Sequence, residues 1–247
     1  MNILVVNDDG IKAEGLFQLV QALKAKGDVY VCAPDEQQSA KSHSITLGKN
    51  VFARPVDFPG ACESFALSGT PADCTKFGLQ FFEEAGIKID MVYSGINMGS
   101  NLGRDTLYSG TIGAAAEAAL DGYKAVAVSV DSHTPKHYEK ACQLAADLLD
   151  QVYEKLDAGY VLSINAPDLP LSEVKGTKLS NLGPRYYDDK FYECEDGGYK
   201  LSGRPCFNVI CENQDSVYLR DGYATITPLH FDFTAYEQFK NLGGWEI

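Results

Sequence analysis

Short apolar runs that alternate with segments of helical spacing constrain this chain more than any other feature. "NILVVN" opens the sequence as a buried strand, and "AEGLFQLVQALKAKG" follows with apolar residues at helical intervals and a glycine at its end. The strand pattern returns in "DVYVCAP" (28 to 34), "MVYSGI" (91 to 96), "AVAVSV" (125 to 130) and "YVLSINAP" (160 to 167). Helical patterns lie between several of them. "PADCTKFGLQFF" carries proline at its expected first turn, "GTIGAAAEAALDG" is alanine-rich, and "KHYEKACQLAADLLDQVYEKL" is the longest amphipathic run. This alternation predicts an α/β fold with a mostly parallel sheet covered on both faces. From Lys178 the rhythm stops, and short β-like pieces with clustered tyrosines replace it. The expected division is a catalytic core over 1–177 and a C-terminal arm over 178–247.

Composition narrows the setting. No run of about 18 apolar residues occurs, and no basic leader with a cleavage site precedes the first strand, so a cytoplasmic protein without a membrane span is expected. The seven cysteines are scattered and include no Cys-x-x-Cys pair, which predicts reduced, mostly buried thiols. With 34 acidic and 21 basic residues, the net charge of −13 argues against nucleic-acid polymers as partners.

Ligands of an open parallel sheet bind beyond the carboxyl ends of its strands. Asp8 and Asp9 follow the first strand there, "DEQQSAKS" follows the second, and Asn97 follows "MVYSGI". Paired carboxylates with a hydroxyl and an amide oxygen form a hard-oxygen set suited to Mg²⁺ or Mn²⁺. The competing reading makes Asp8 and Asp9 turn residues that cap the next helix. Downstream, "SGINMGSNLGRDTLYSGTIGAAAEAAL" (94 to 120) joins a buried strand to the alanine-rich helix, with Ser109, Gly110 and Thr111 at the expected helix start. Backbone N–H groups at such a start suit a phosphate. Ordinary capping and turn chemistry would use the same residue types.

Several separated segments together resemble the SurE survival-protein phosphatases, also called SurE 5'/3'-nucleotidases. They are "ILVVNDDGIKAEG", "APDEQQSAKSHSITL", "SGTPADCTKFGL", "SGINMGSNLGRDTLYSGTIGAAAEAAL", "SINAPDLP" and "DGYATITPLHFDFT". The resemblance implies a Rossmann-like three-layer α/β/α core with a β-rich C-terminal oligomerisation arm, in a homodimer or homotetramer. It further implies a phosphomonoesterase that uses one divalent metal ion, Mg²⁺ or Mn²⁺, to hydrolyse nucleoside monophosphates at the 5' and possibly the 3' position. Carried over residue by residue, the metal ligands fall on Asp8, Asp9, Ser39 and Asn97, with Asp8 and Asp9 also catalytic. The phosphate side falls on Asn101, Ser109, Gly110 and Thr111, and Asn7 is a weaker candidate beside the carboxylates. The attacking group is left open between water and an aspartate.

One loop departs from the family pattern. Relatives usually carry a basic residue and an asparagine before the serine and a glycine after it, whereas this chain reads Glu36, Gln37, Gln38, Ser39, Ala40. The ligand stays, but a cation and a flexible residue are lost. Lys41 and His43 are expected as ordinary loop residues outside the catalytic set. A receiver-like or nucleotide-binding module without catalysis is the alternative. A receiver needs a phosphoacceptor aspartate where Ser94 to Asn97 stand, and a dinucleotide site needs a G-x-G-x-x-G motif where Asp8, Asp9 and Gly10 stand.

Overall fold

The computed structural model describes residues 1–184, 186–206 and 213–243. The first apolar run forms β1 (Asn2–Val6), followed by α1 (Glu14–Leu23) and β2 (Asp28–Pro34). A short edge strand β3 (Ala53–Pro55) and β4 (Glu63–Leu67) precede α2 (Pro71–Glu84) and β5 (Met91–Met98). A 3₁₀ turn (Gly103–Leu107) leads into α3 (Gly110–Leu120) and β6 (Lys124–Asp131). The longest amphipathic run divides into α4 (Glu139–Asp147) and α5 (Leu149–Lys155), joined through Leu148, whose backbone stays in the helical region. β7 (Tyr160–Pro167) and β8 (Thr177–Leu179) follow.

The sheet has nine strands in the order β3-β4-β2-β1-β5-β6-β7, then β13 (Ala224–His230), then β8. β4, β2, β1, β5, β6 and β7 run parallel, while β13 lies antiparallel to β7. Strand alternation divides the core: Ile3 and Val5 pack with Leu16, Leu19 and Leu144 of α1 and α4 on one face. Leu4 and Val6 pack with Phe82 of α2 and Ile112 and Ala115 of α3 on the other. Burying each such aliphatic side chain stabilises the fold by roughly 1.5–3 kcal/mol. The result is a three-layer α/β/α fold. β4, with its exposed first residue and four buried ones, was not anticipated as a strand; partners on both sides supply its context.

Chain from beyond the expected boundary at 178 takes two forms. β13 and most of β8 extend the central sheet. By contrast β9 (Tyr186–Tyr187), β10 (Lys190–Glu193), β11 (Tyr199–Ser202) and β12 (Pro205–Cys206) form two small antiparallel pairs, and β10 and β11 are exposed throughout. α6 (Asp215–Arg220) and the exposed α7 (Tyr236–Leu242) complete the described elements. Cys211 lies outside the described residues, and the other cysteines are free thiols. Among the described residues no helix is long and apolar enough to cross a membrane.

Candidate active site

β1 is flanked by β2 on one side and β5 on the other, and the connections leaving them run to opposite edges of the sheet. At this switch point a cavity of about 600 Å³ opens beyond the strand ends, lined by Asp8, Ser39, Asn97, Asn101 and Ser109 among others. Five of the eight residues expected from the sequence therefore line one cavity. The remaining three contact residues of that lining. Asp9 binds the cavity-lining residues Met98 and Gln37, and Gly110 and Thr111 pack against Asp8.

Neither carboxylate caps α1, whose N-cap is Ala13 without a side-chain hydrogen bond. The turn itself belongs to Asn7, whose amide donates to the Gly10 carbonyl at 2.9 Å and accepts from the Gly10 N–H at 3.2 Å. Asn7 thus shapes the loop that presents the two aspartates. Asp8 is buried, and its Oδ1 accepts from Thr111 Oγ1 at 2.7 Å. Burial pushes its pKa up to about 7; the Thr111 hydrogen bond works against this, and the Asp9 charge adds to it. Burial also raises the pKa of Asp9, opposed by the Met98 N–H at 3.0 Å on its Oδ2 and the Gln37 amide at 3.1 Å on its Oδ1.

The helix start approaches these carboxylates closely. A Cβ on Gly110 would stand 2.9 Å from Asp8 Cβ and 3.0 Å from Asp8 Oδ2, so glycine is required for this contact. Ser109 is the N-cap of α3, its hydroxyl accepting from the Ile112 N–H at 3.1 Å. Asn97 donates its Nδ2 to the Gly99 carbonyl at 2.7 Å, which fixes the orientation of the amide. Among the described residues no group of three or more His, Cys, Asp or Glu side chains converges. A cation here would have Asp8 and Asp9 as its charged ligands and neutral oxygens of Ser39 and Asn97 beside them. That donor chemistry fits a hard divalent ion.

The family model described as Survival protein SurE matches residues 3–189. The chain belongs to the SurE family. As a SurE-family chain it is 40% identical over 242 residues to the protein named 5'-nucleotidase SurE of Clostridium beijerinckii, with 95% of this chain and 94% of the relative covered. The protein of the same name from Petrotoga mobilis is 38% identical, with 99% of both chains covered. The crystal structure of SurE from Aquifex aeolicus superposes with a TM-score of 0.86 at 33% identity, covering 98% of each chain.

The SurE fold also brings in residues that sequence reasoning passed over. His133, just past β6, lines the same cavity. Asn101 is held from below, its N–H donating to Asn165 Oδ1 at 2.8 Å and its Nδ2 to Ser129 Oγ at 2.9 Å. Asp215 of α6, buried, accepts from the Gly103 N–H at 2.8 Å and braces the 3₁₀ turn from the tail. Tyr187 reaches Asp105 at 2.6 Å. Two segments that carried the resemblance held a sequence signal for this group: Asn165 lies within "SINAPDLP", and Gly103 and Asp105 lie within "SGINMGSNLGRDTLYSGTIGAAAEAAL".

Proposed function

We propose that this protein is a divalent-metal-dependent 5'-nucleotidase that hydrolyses nucleoside monophosphates to nucleoside and phosphate. The observation that carries the reading is the packing of buried Asp8 against the start of α3, with Gly110 and Thr111 in direct contact. A site for a cation thereby adjoins a site for an anion. The names of the relatives, 5'-nucleotidase SurE, give the substrate class.

Asp8 and Asp9 supply the negative charge that holds a dication, and Ser39 Oγ and Asn97 Oδ1 add neutral oxygens. The bound metal supplies charge stabilisation at the phosphoryl oxygens. On the other side, N–H groups at the first turn of α3 meet the remaining phosphate oxygens. The Ser109 hydroxyl, already accepting from Ile112, still has its proton to donate, and Asn101 forms the far wall. Asp9, less buried than Asp8, is the carboxylate that can take a proton from the attacking group. No observation favours a non-catalytic module.

We also infer a homodimer or homotetramer assembled through the arm, where Phe191, Tyr192 and Tyr199 are all more than half exposed. Light scattering at micromolar concentration is expected to show more than one chain per particle. A cytoplasmic location suits the free thiols.

A panel of nucleoside monophosphates and p-nitrophenyl phosphate, assayed with Mg²⁺, Mn²⁺ and a chelator, tests the function. Turnover that vanishes with the chelator and returns with metal is expected. Nucleotide binding without turnover, or turnover indifferent to chelation, overturns the reading.

A further inference from the structure

His43 stands four residues beyond Ser39, on the segment that leaves β2 and walls the catalytic cavity. Its Nε2 lies 2.5 Å from Oε2 of Glu117, and Lys76 Nζ lies 2.5 Å from the other oxygen of that carboxylate. Glu117 is buried on α3, the helix whose first turn borders the phosphate side. Ser42, next in the segment, donates its N–H to the Tyr108 carbonyl at 3.1 Å and its hydroxyl to the Leu107 carbonyl at 2.6 Å. Gly113 makes the approach possible, because a Cβ there would stand 2.5 Å from the Ser42 carbonyl oxygen.

Among the described residues no hydrogen bond holds the Ser39 side chain itself. Its place is set by its flanks. On one side the Gln38 N–H donates to the Asp8 carbonyl at 2.7 Å; on the other stand the Ser42 bonds and the His43–Glu117 contact. Between these anchors Ala40 and Ser42 take left-handed backbone angles, φ 58° and 54°, which residues with a Cβ adopt at a cost. We propose that His43 is a positioning residue of the metal site: its contact with Glu117 holds segment 39–43 against α3 and so keeps Ser39 on the cavity wall with Asp8 and Asn97. This inference rests on the metal-dependent reading above.

Two features separate positioning from folding. Lys76 stays on Glu117 when the imidazole is removed, so no buried charge is stranded. The far end of the loop has its own anchor, since Thr46 donates its N–H and hydroxyl to the Asp73 carboxylate at 3.0 and 2.6 Å, and Thr70 donates to the Ser44 carbonyl at 2.7 Å.

His43→Ala and His43→Gln are compared with the unmodified protein by calorimetric Mn²⁺ titration, by hydrogen exchange at the Ser42 amide in chelator, and by steady-state kinetics on a nucleoside monophosphate. For His43→Ala, Mn²⁺ affinity and kcat/KM are expected to fall roughly tenfold, as when a partner behind a metal ligand is lost. The Ser42 amide should exchange faster, while the metal-free melting temperature moves by a few degrees at most. His43→Gln, whose amide can donate to Glu117, should restore affinity and protection together. Unmodified Mn²⁺ affinity in His43→Ala, an unchanged Ser42 amide, or failure of His43→Gln to rescue overturns the proposal. Absence of metal-dependent turnover in the unmodified protein would instead remove the nucleotidase reading, leaving the Ser42 exchange comparison to judge the loop contact.

Discussion

Thr111 Oγ1 donates a 2.7 Å hydrogen bond to Asp8 Oδ1, tying the first turn of α3 to the loop after β1. Both residues are buried, so the bond has no solvent competitor. Thr111→Val keeps the shape and removes the donor. Stability should fall by about 1–3 kcal/mol, because a buried acceptor loses its partner, and activity should fall about 10-fold or more as Asp8 loses its orientation. Thr111→Ser should retain most of both. Chemical denaturation and nucleotidase assays on the two variants check this, and a Val variant as active as the unmodified protein would contradict it.

Asp9→Asn tests the charge of the pair. The amide can still accept the Met98 N–H, so the protein should fold, but it carries no charge for a dication. Activity is expected to drop by orders of magnitude. In chelator the variant should melt at an equal or higher temperature, because burial disfavours the carboxylate it replaces. The stabilisation gained on adding Mg²⁺ or Mn²⁺ should shrink.

The raised pKa of Asp8 has a defined sign in metal-free protein. Its folded value of about 7 exceeds the ordinary 3.8, so the folded state holds this proton more tightly than the unfolded chain. The stability it contributes is fully present below about pH 4 and is lost as pH rises through about 7. In chelator, Asp8→Asn should therefore gain stability relative to the unmodified protein across that window and level off above it. Denaturant titrations at intervals from pH 4 to 8 read the difference directly; a flat difference would show that burial does not govern this group. With saturating metal the trend should reverse, because the ligand form is the deprotonated one.

Ala40 takes a left-handed backbone conformation, with φ 58°. Glycine would relieve about 1–2 kcal/mol of left-handed strain, offset by about 0.4–1 kcal/mol of extra freedom in the unfolded chain. Ala40→Gly should therefore stabilise the protein by up to about 1.6 kcal/mol. Ala40→Val should cost more than Ala40→Gly gains. Thermal melts of the three proteins in chelator settle the order.

Long polyphosphate should be a poor substrate. The net charge is −13, and Asp105 lines the catalytic cavity, so an extended polyanion meets repulsion beyond the single phosphate site. At low salt its hydrolysis should be far slower than that of mononucleotides. Comparable rates would remove this electrostatic argument.

The sequence by itself determined the five central parallel strands β1, β2, β5, β6 and β7, the covering of the sheet on both faces, and the oxygen-bearing side chains at the strand ends. These are local properties: a run such as "ILVV" has no stable state except burial, and carboxylates are excluded from the sheet interior to its ends. Asp8, Ser39, Asn97 and Ser109 lie beside a strand or helix end visible in one dimension, whereas Asn101 was named only through the family resemblance. Tertiary structure alone decided what holds them. Thr111 was expected to face phosphate, and its hydroxyl is bound to Asp8, 103 residues away in sequence. Asp215 supports Gly103 from the tail, and His43 meets Glu117 across 74 residues. Such pairings have no local signature, because hydrogen bonds and ion pairs act over a few ångströms of space and are indifferent to chain separation. The tail followed the same division. Its tyrosines marked the end of the strand–helix rhythm, but β13 entered the central sheet because an unpaired edge of β7 was there to receive it.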